Sequence, residues 1–299
     1  MIKFYQSRLN NDLTLVAKLE KEFAEYTGFD YAIAVDSCTN AIALCLYYEQ
    51  PKEVWIPAMT YVSVANEVLH VCAKLFFEDS CSAGYAYRLK NTKIIDAAHE
   101  IVRYGHHTLL NGNDKVCYSF YPTKLIPSYE GGMICTNDRE FRDWARTARQ
   151  MGRDGYGPYY NVVFPGWKYN MTGIQAREAL KSLRMLPKTL AVARKQVKLY
   201  DKLLKENHTS DHLYITNVPA RDKCIEWMKK KGVECSIHFE PIYKKWCYKE
   251  YDGEFPLCEK LFKTTISLPL HPFLKEREIR KVARLIKEWR KSWKTLQNI

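Results

Sequence analysis

From Leu13 to Tyr26 apolar residues return at helical spacing, and Gly28 follows where a helix end favours a residue free to take positive φ. The period then changes. Tyr31-Ala32-Ile33-Ala34-Val35 is an apolar run of strand length that passes through Asp36-Ser37-Cys38-Thr39 into a helical stretch over 40–48. Glu53-Val54-Trp55-Ile56 reads as another strand, closed by Pro57, with a helix over 63–71. Residues 93–96, 116–120 and 132–136 have strand patterns, and Asp138 starts a helix that reaches Met151. Strands alternating with helices predict an α/β domain around a largely parallel sheet.

The stretch 152–168 is rich in Gly, Tyr and Pro and reads as a long loop. A helix is expected from Thr172 to Leu186. Pro187 then opens a charged helical stretch to Lys205 that bridges to a second domain. Beyond 210 the pattern is strand at Tyr214-Ile215, helix over 224–231, strand over 233–239 and a terminal helix. The expected organisation is a large α/β domain over 1–187 and a small α+β domain over 188–299.

Composition narrows the class. The chain has 299 residues, 46% of them hydrophobic, enough for a sizeable core. No apolar run reaches the eighteen or so residues of a membrane span. Residues 1–6 carry no signal-peptide pattern, so the expected location is the cytosol. Ten cysteines are scattered without CxxC pairs or metal-ligand spacing; Cys45, Cys72 and Cys117 lie in apolar runs and read as reduced core residues. The net charge of +12 invites a nucleic-acid reading. Residues 275–294, however, place nine basic and three acidic residues around Ile279, Val282, Leu285, Ile286 and Trp289 at helical spacing. That is an amphipathic helix with a solvated basic face, and nucleic acid is not the expected partner.

Candidate chemistry gathers around Lys124. It ends Ser119-Phe120-Tyr121-Pro122-Thr123-Lys124, and Glu130-Gly131-Gly132 follows closely. Upstream, Ile94-Ile95 runs into Asp96, then Ala97-Ala98-His99. A lysine beside a hydroxyl, with a carboxylate at a strand end, is the set pyridoxal 5′-phosphate requires. Its aldehyde condenses with a lysine amine, its pyridine nitrogen takes an anionic partner, and its phosphate takes donors. Each group alone has an ordinary reading. Ser37, Cys38 and Thr39 before a helix form a phosphate-binding geometry or a plain cap. Ser119 donates to a phosphate or closes its turn. Tyr61, just past a strand end, stacks on a flat ring or packs. Asp96 is a pyridine partner or a helix N-cap.

In order along the chain, these residues resemble the DegT/StrS family. The resemblance lies in Glu22 to Gly28 with Ala32 to Leu44, in Ile56 to Asn66, in Ile95 to His99, in Ser119 to Lys124, in Lys168 to Ala176 and in Ser267 to Pro272. It implies a fold-type-I pyridoxal-phosphate aminotransferase that moves an amino group from an amino acid, glutamate in the first instance, to a nucleotide-linked keto-sugar through an internal aldimine on Lys124. Asp96 would pair with the pyridine nitrogen, Tyr61 would stack on the ring, and His99 would sit near the phenolic oxygen. Cys38, Thr39 and Ser119 would hold the phosphate. Asn170 would reach the phosphate of a neighbouring subunit, making a homodimer with shared active sites. His238 would lie near the nucleotide-sugar.

The lysine favours amination over the dehydration performed by relatives that carry histidine there. The chain also departs from the family. Only fifteen residues separate Phe77 from Lys93, where the family has a further strand and helix, and the N-terminal leader is short. Cys38 stands where glycine is common, and 125–129 is bulkier than usual. The rival readings are the same cofactor acting on a non-sugar substrate, and a catalytically silent binding or regulatory relative.

Overall fold

Helix α1 (Ile2–Thr27) starts well before its apolar periodicity and stops where expected. Gly28 takes φ +78°, and its N–H donates to the Ala24 carbonyl at 2.8 Å. Then follow β1 (Tyr31–Val35), α2 (Cys38–Glu49), β2 (Glu53–Met59), α3 (Val62–His70), β3 (Lys74–Cys81), β4 (Tyr87–Arg88), β5 (Ile94–Asp96), β6 (Lys115–Ser119), β7 (Gly132–Thr136) and α4 (Arg139–Ala148). The computed structural model describes residues 2–155, 159–251 and 253–297. Within the Gly-, Tyr- and Pro-rich stretch, positions 156–158 lie outside the described residues.

The chain divides into two units, one of residues 1–56, 63–76 and 85–186, the other of 57–62, 77–84 and 187–299. In the first, five strands form a sheet in the order β1-β7-β6-β5-β4. The largely parallel sheet expected from the alternation is mixed instead. β5 and β6 are parallel, while β1/β7, β6/β7 and β4/β5 are antiparallel. The connections explain this. A parallel pair needs a long crossover, which the segment between β5 and β6 supplies, whereas five residues join β4 to β5 as a hairpin. Ala41, Ile42, Ala43, Leu44, Cys45 and Leu46 of α2 are all buried, and the helix packs on β5, β6 and β7. That packing fixes the N-terminus of α2 at the ends of the central strands.

The free edge of β1 is closed by side chains. Glu20 accepts the Ala34 N–H at 2.9 Å and pairs with Arg146 and Arg149, and Arg149 also donates to the Ala34 carbonyl. Strand β2 does not stop at Pro57 but continues to Met59. It forms a two-stranded sheet with β3 and otherwise makes one bridge, Trp55 to Lys90, so beyond that bridge a residue without an N–H can face an open edge. Cys45 and Cys117 are buried with their sulfurs 3.7 Å apart. Cys72, expected in the core, is exposed, with φ +57° in the turn after α3.

Helix α5 (Gly173–Leu204) runs straight through Pro187, where a break and a second helix were expected. Proline forfeits one helical hydrogen bond, but Leu183 and Leu186 before it and Leu190, Ala193 and Val197 after it are buried. The second unit also contains β8 (Tyr214–Asn217), α6 (Arg221–Lys230), α7 (Pro256–Thr264), β9 (Thr265–Leu268) and α8 (Glu276–Gln297), with β8 and β9 antiparallel. Val197, Tyr200, Tyr214, Met228, Ile266, Ile279, Val282 and Ile286 belong to its core. The strand expected over 233–239 does not form. That segment makes a single bridge, Ser236 to Ser267, because only there does its backbone exchange hydrogen bonds with β9. The basic terminal helix is present as α8, its apolar stripe buried.

Candidate active site

Where β1 ends, Ser37 takes an extended conformation and caps α2, its hydroxyl accepting the Asn40 N–H at 3.1 Å. The Ala41 N–H goes to the Ser37 carbonyl. The N–H groups of Cys38 and Thr39 have no acceptor among the described residues. They leave the helix N-terminus open, with the positive end of the helix dipole behind them, an arrangement that suits an anion. The turn is backed by Gly132, the first residue of β7. A Cβ there would stand 2.5 Å from the Ser37 carbonyl oxygen and 2.7 Å from the Cys38 nitrogen, so glycine alone fits this approach. Beside the turn, Asp36 accepts from the Asn40 amide at 2.7 Å, and burial raises its pKa.

Asp96 closes β5 at 6% exposure. Burial pushes its carboxyl above the usual range. The Ala98 N–H, bound at 2.9 Å, the Lys124 charge and a hydrogen bond from the Tyr87 side chain all pull the other way. Burial is the larger effect and the net shift is upward. Asp96 is not a helix cap: the residues after it form no helix.

Lys124 lies after β6 in a loop closed by local bonds. Its N–H donates to Tyr121, Phe120 N–H to Gly131, and Ser128 N–H to Phe120. Burial lowers its pKa, while Asp96 and Cys38 raise it, so both lie within electrostatic reach of the amine. Burial likewise holds the Cys38 thiol well above its ordinary value, with Asp96 adding to the rise and Lys124 opposing it. Asp96, Lys124 and Cys38, separated widely in sequence, therefore form one electrostatic group over the ends of β5 and β6 and the start of α2.

The other candidates distribute unevenly. Ser119 ends β6 and Thr39 opens α2, both half-buried, and His99 is buried shortly after Asp96. Asn170 bridges to Val35 at the end of β1, and its amide oxygen accepts from Lys168 at 2.6 Å. Tyr61 and His238 belong to the second unit. Tyr61 is 60% exposed, with its ring 6.2 Å from that of Phe239, and His238 Nδ1 lies 2.7 Å from the Ser267 hydroxyl. Sequence reasoning missed Tyr87 and the backing role of Gly132. The pair Gly131-Gly132 after the lysine was a signal for the second; nothing local marked the first.

A helix start with open N–H groups, a buried carboxylate and a lysine of lowered pKa thus lie in one group on an α/β scaffold. The model of the DegT/DnrJ/EryC1/StrS aminotransferase family matches residues 6–92 and 85–287, and the chain belongs to that family. It is 26% identical over 347 residues to the spore coat polysaccharide biosynthesis protein SpsC of Bacillus subtilis, covering 91% of this chain and 89% of that one. It is 25% identical over 326 residues to the GDP-perosamine synthase of Caulobacter vibrioides, covering 89% and 88%. Among solved structures, a DegT DnrJ EryC1 StrS aminotransferase from Brucella abortus superposes with a TM-score of 0.80 at 24% identity, covering 92% of this chain and 90% of that one. These agree with the fold-type-I class expected from sequence, and the family's cofactor is pyridoxal 5′-phosphate.

The residues present fit that group. The unpaired N–H groups of Cys38 and Thr39, with the Thr39 and Ser119 hydroxyls, would hold the phosphate, and Asp96 would face the pyridine nitrogen. The half-buried Lys124 would take the aldehyde.

Proposed function

We propose that this enzyme transfers an amino group from an amino acid, glutamate first among donors, to a nucleotide-linked keto-sugar, with Lys124 carrying the cofactor covalently. The observation that supports this most is the Asp96–Lys124–Cys38 group beside an open helix N-terminus. The cofactor, when bound, supplies an aldehyde for the amine and a ring that delocalises negative charge. The chain's own residues do the rest. Asp96, as a carboxylate, would face the pyridine nitrogen and hold a proton on it. Burial lowers the pKa of Lys124, and its amine would move the proton between the nitrogen-bearing carbon of the substrate and C4′ of the cofactor. His99, buried beside Asp96, is assigned to the phenolic oxygen side.

The sugar assignment draws on the relatives: one is described as a polysaccharide biosynthesis protein, another as a GDP-perosamine synthase. We assign the assembly as a homodimer, with Asn170 reaching toward the partner's phosphate. Among the described residues no helix is long and apolar enough to cross a membrane.

The test is a spectrum of the purified protein with pyridoxal phosphate, followed by substrates. A visible band that borohydride removes, that glutamate bleaches and that a nucleotide-linked keto-sugar restores establishes both halves of the reaction. Restoration by simple keto acids but by no member of a keto-sugar panel would refute the sugar assignment.

A further inference from the structure

β4 is two residues long, yet its register is specific. It runs antiparallel to β5 with Tyr87 directly opposite Asp96 and Arg88 opposite Ile95. The hairpin is pinned from both ends. Arg88 donates to both carboxylate oxygens of the buried Asp114 at 2.8 and 2.7 Å, and Leu89 N–H donates to Ile94. Before Tyr87, the Ala86 N–H donates to Glu100 at 2.8 Å. A strand this short contributes little ladder of its own, so these contacts hold one residue in place against the end of β5.

Directly opposite residues of an antiparallel pair put their side chains on the same face, so the phenol of Tyr87 lies beside the Asp96 carboxylate. Hydrogen bonding from it is among the causes that oppose the upward shift of that carboxyl. Asp96 is an acceptor-only group when ionised, with room for about four donors. The Ala98 N–H takes one position and the Tyr87 hydroxyl another, and the remaining lone pairs are free for a further N–H donor. A buried carboxylate with one donor can rotate; with two donors from different segments its plane is set.

We propose that Tyr87 is a positioning residue: its hydroxyl fixes the orientation of the Asp96 carboxylate toward the pyridine nitrogen of the cofactor. This rests on the reading of Asp96 as the pyridine partner. The groups facing Asp96 are then the Ala98 N–H, the Tyr87 hydroxyl, Lys124 and the Cys38 thiol, and only the tyrosine can be removed without touching another candidate for the cofactor. Tyr87 is half-buried, and phenylalanine preserves its ring.

The experiment is equilibrium binding of pyridoxamine 5′-phosphate to the apoenzyme across pH. This ligand has no aldehyde and so reports the ring pocket without the bond to Lys124. Tyr87→Phe is expected to weaken binding about tenfold near neutrality, the effect of one hydrogen bond to a charged group. It should also move the acid limb of the binding profile upward by about one pH unit, because Asp96 then protonates more readily. Asp96→Asn should bind weakly at every pH, and adding Tyr87→Phe to it should change nothing further. Tyr87→Gln, which returns a donor, should recover part of the loss. If Asp96→Asn is weak while Tyr87→Phe follows the wild-type curve throughout, Tyr87 has no positioning role. If Asp96→Asn itself binds like wild type, the pyridine assignment falls and this proposal with it. A Tyr87→Phe protein that melts lower but keeps the wild-type pH midpoint marks a structural role and overturns the proposal too.

Discussion

Gly132 backs directly onto Ser37: a methyl group on the glycine would lie 2.5 Å from both the carbonyl carbon and the carbonyl oxygen of the serine. The first residue of one strand thereby sets the position of the turn that opens α2. Gly132→Ala must push that turn away, at a cost of roughly 1–3 kcal/mol for overpacking. Cofactor affinity should fall with it, since the Cys38 and Thr39 N–H groups move. A thermal melt and a pyridoxal phosphate titration read the two effects; unchanged affinity would show that the turn does not hold the phosphate.

Lys124→Ala should remove the borohydride-sensitive visible band and lower transamination by a factor of about 100 or more, the range of a lost general acid–base group. The fold should survive, because the side chain is half-buried in a turn and makes no hydrogen bond among the described residues. A circular dichroism spectrum beside the absorbance spectrum separates the two. A mutant that keeps the band would locate the covalent link elsewhere.

Asp96 gives a stability prediction with a sign. Burial raises its folded-state pKa, so the native state holds that proton more tightly than the unfolded chain. Its contribution is therefore most favourable below the unfolded value of about 3.9 and is lost as pH rises through the folded value. Above the folded value the ionised group costs the apoprotein stability. Apo Asp96→Asn should melt above wild type at pH 7, with the gap closing as pH falls toward the unfolded value, while its cofactor affinity drops. Equal melting temperatures at pH 7 would mean that the donors around Asp96 fully offset its desolvation.

Arg149 is buried against Glu20 and covers the edge of β1. Arg149→Met leaves the Glu20 carboxylate short of one guanidinium and the Ala34 carbonyl without a side-chain donor, a loss of roughly 3 kcal/mol. Glu20→Gln added to it should recover part of that, since no buried charge then lacks a partner. Urea denaturation of the four proteins closes the cycle; additive effects would show that the two residues do not couple.

Much of this architecture was legible locally. The strand at 31–35, the Gly28 stop, the strand at 132–136 and the Asp138-capped helix follow from apolar period and cap chemistry, which neighbouring residues carry between them. Lys124, Asp96, Ser119 and Thr39 were visible because their residue types sit at strand ends and turns in one order along the chain. The chain alone thus determined the α/β class and the cofactor of its family, and it marked Lys124, Asp96, Ser119 and Thr39 as the candidates to hold that cofactor.

Tertiary structure decided what depends on distant partners. Strand direction follows the path of each connection, so the sheet became mixed around one parallel pair. Helix α5 passed through Pro187 because burial on both sides outweighs one lost hydrogen bond. The 233–239 segment stayed irregular because its backbone meets β9 at Ser236 only. Tyr87 came to face Asp96 because a two-residue strand was held in register by Arg88 and Asp114. None of these outcomes has a local period or cap to announce it. Each is set by which surfaces meet after the chain has folded, and that is where the environment of Asp96 and Lys124, and hence their reactivity, was fixed.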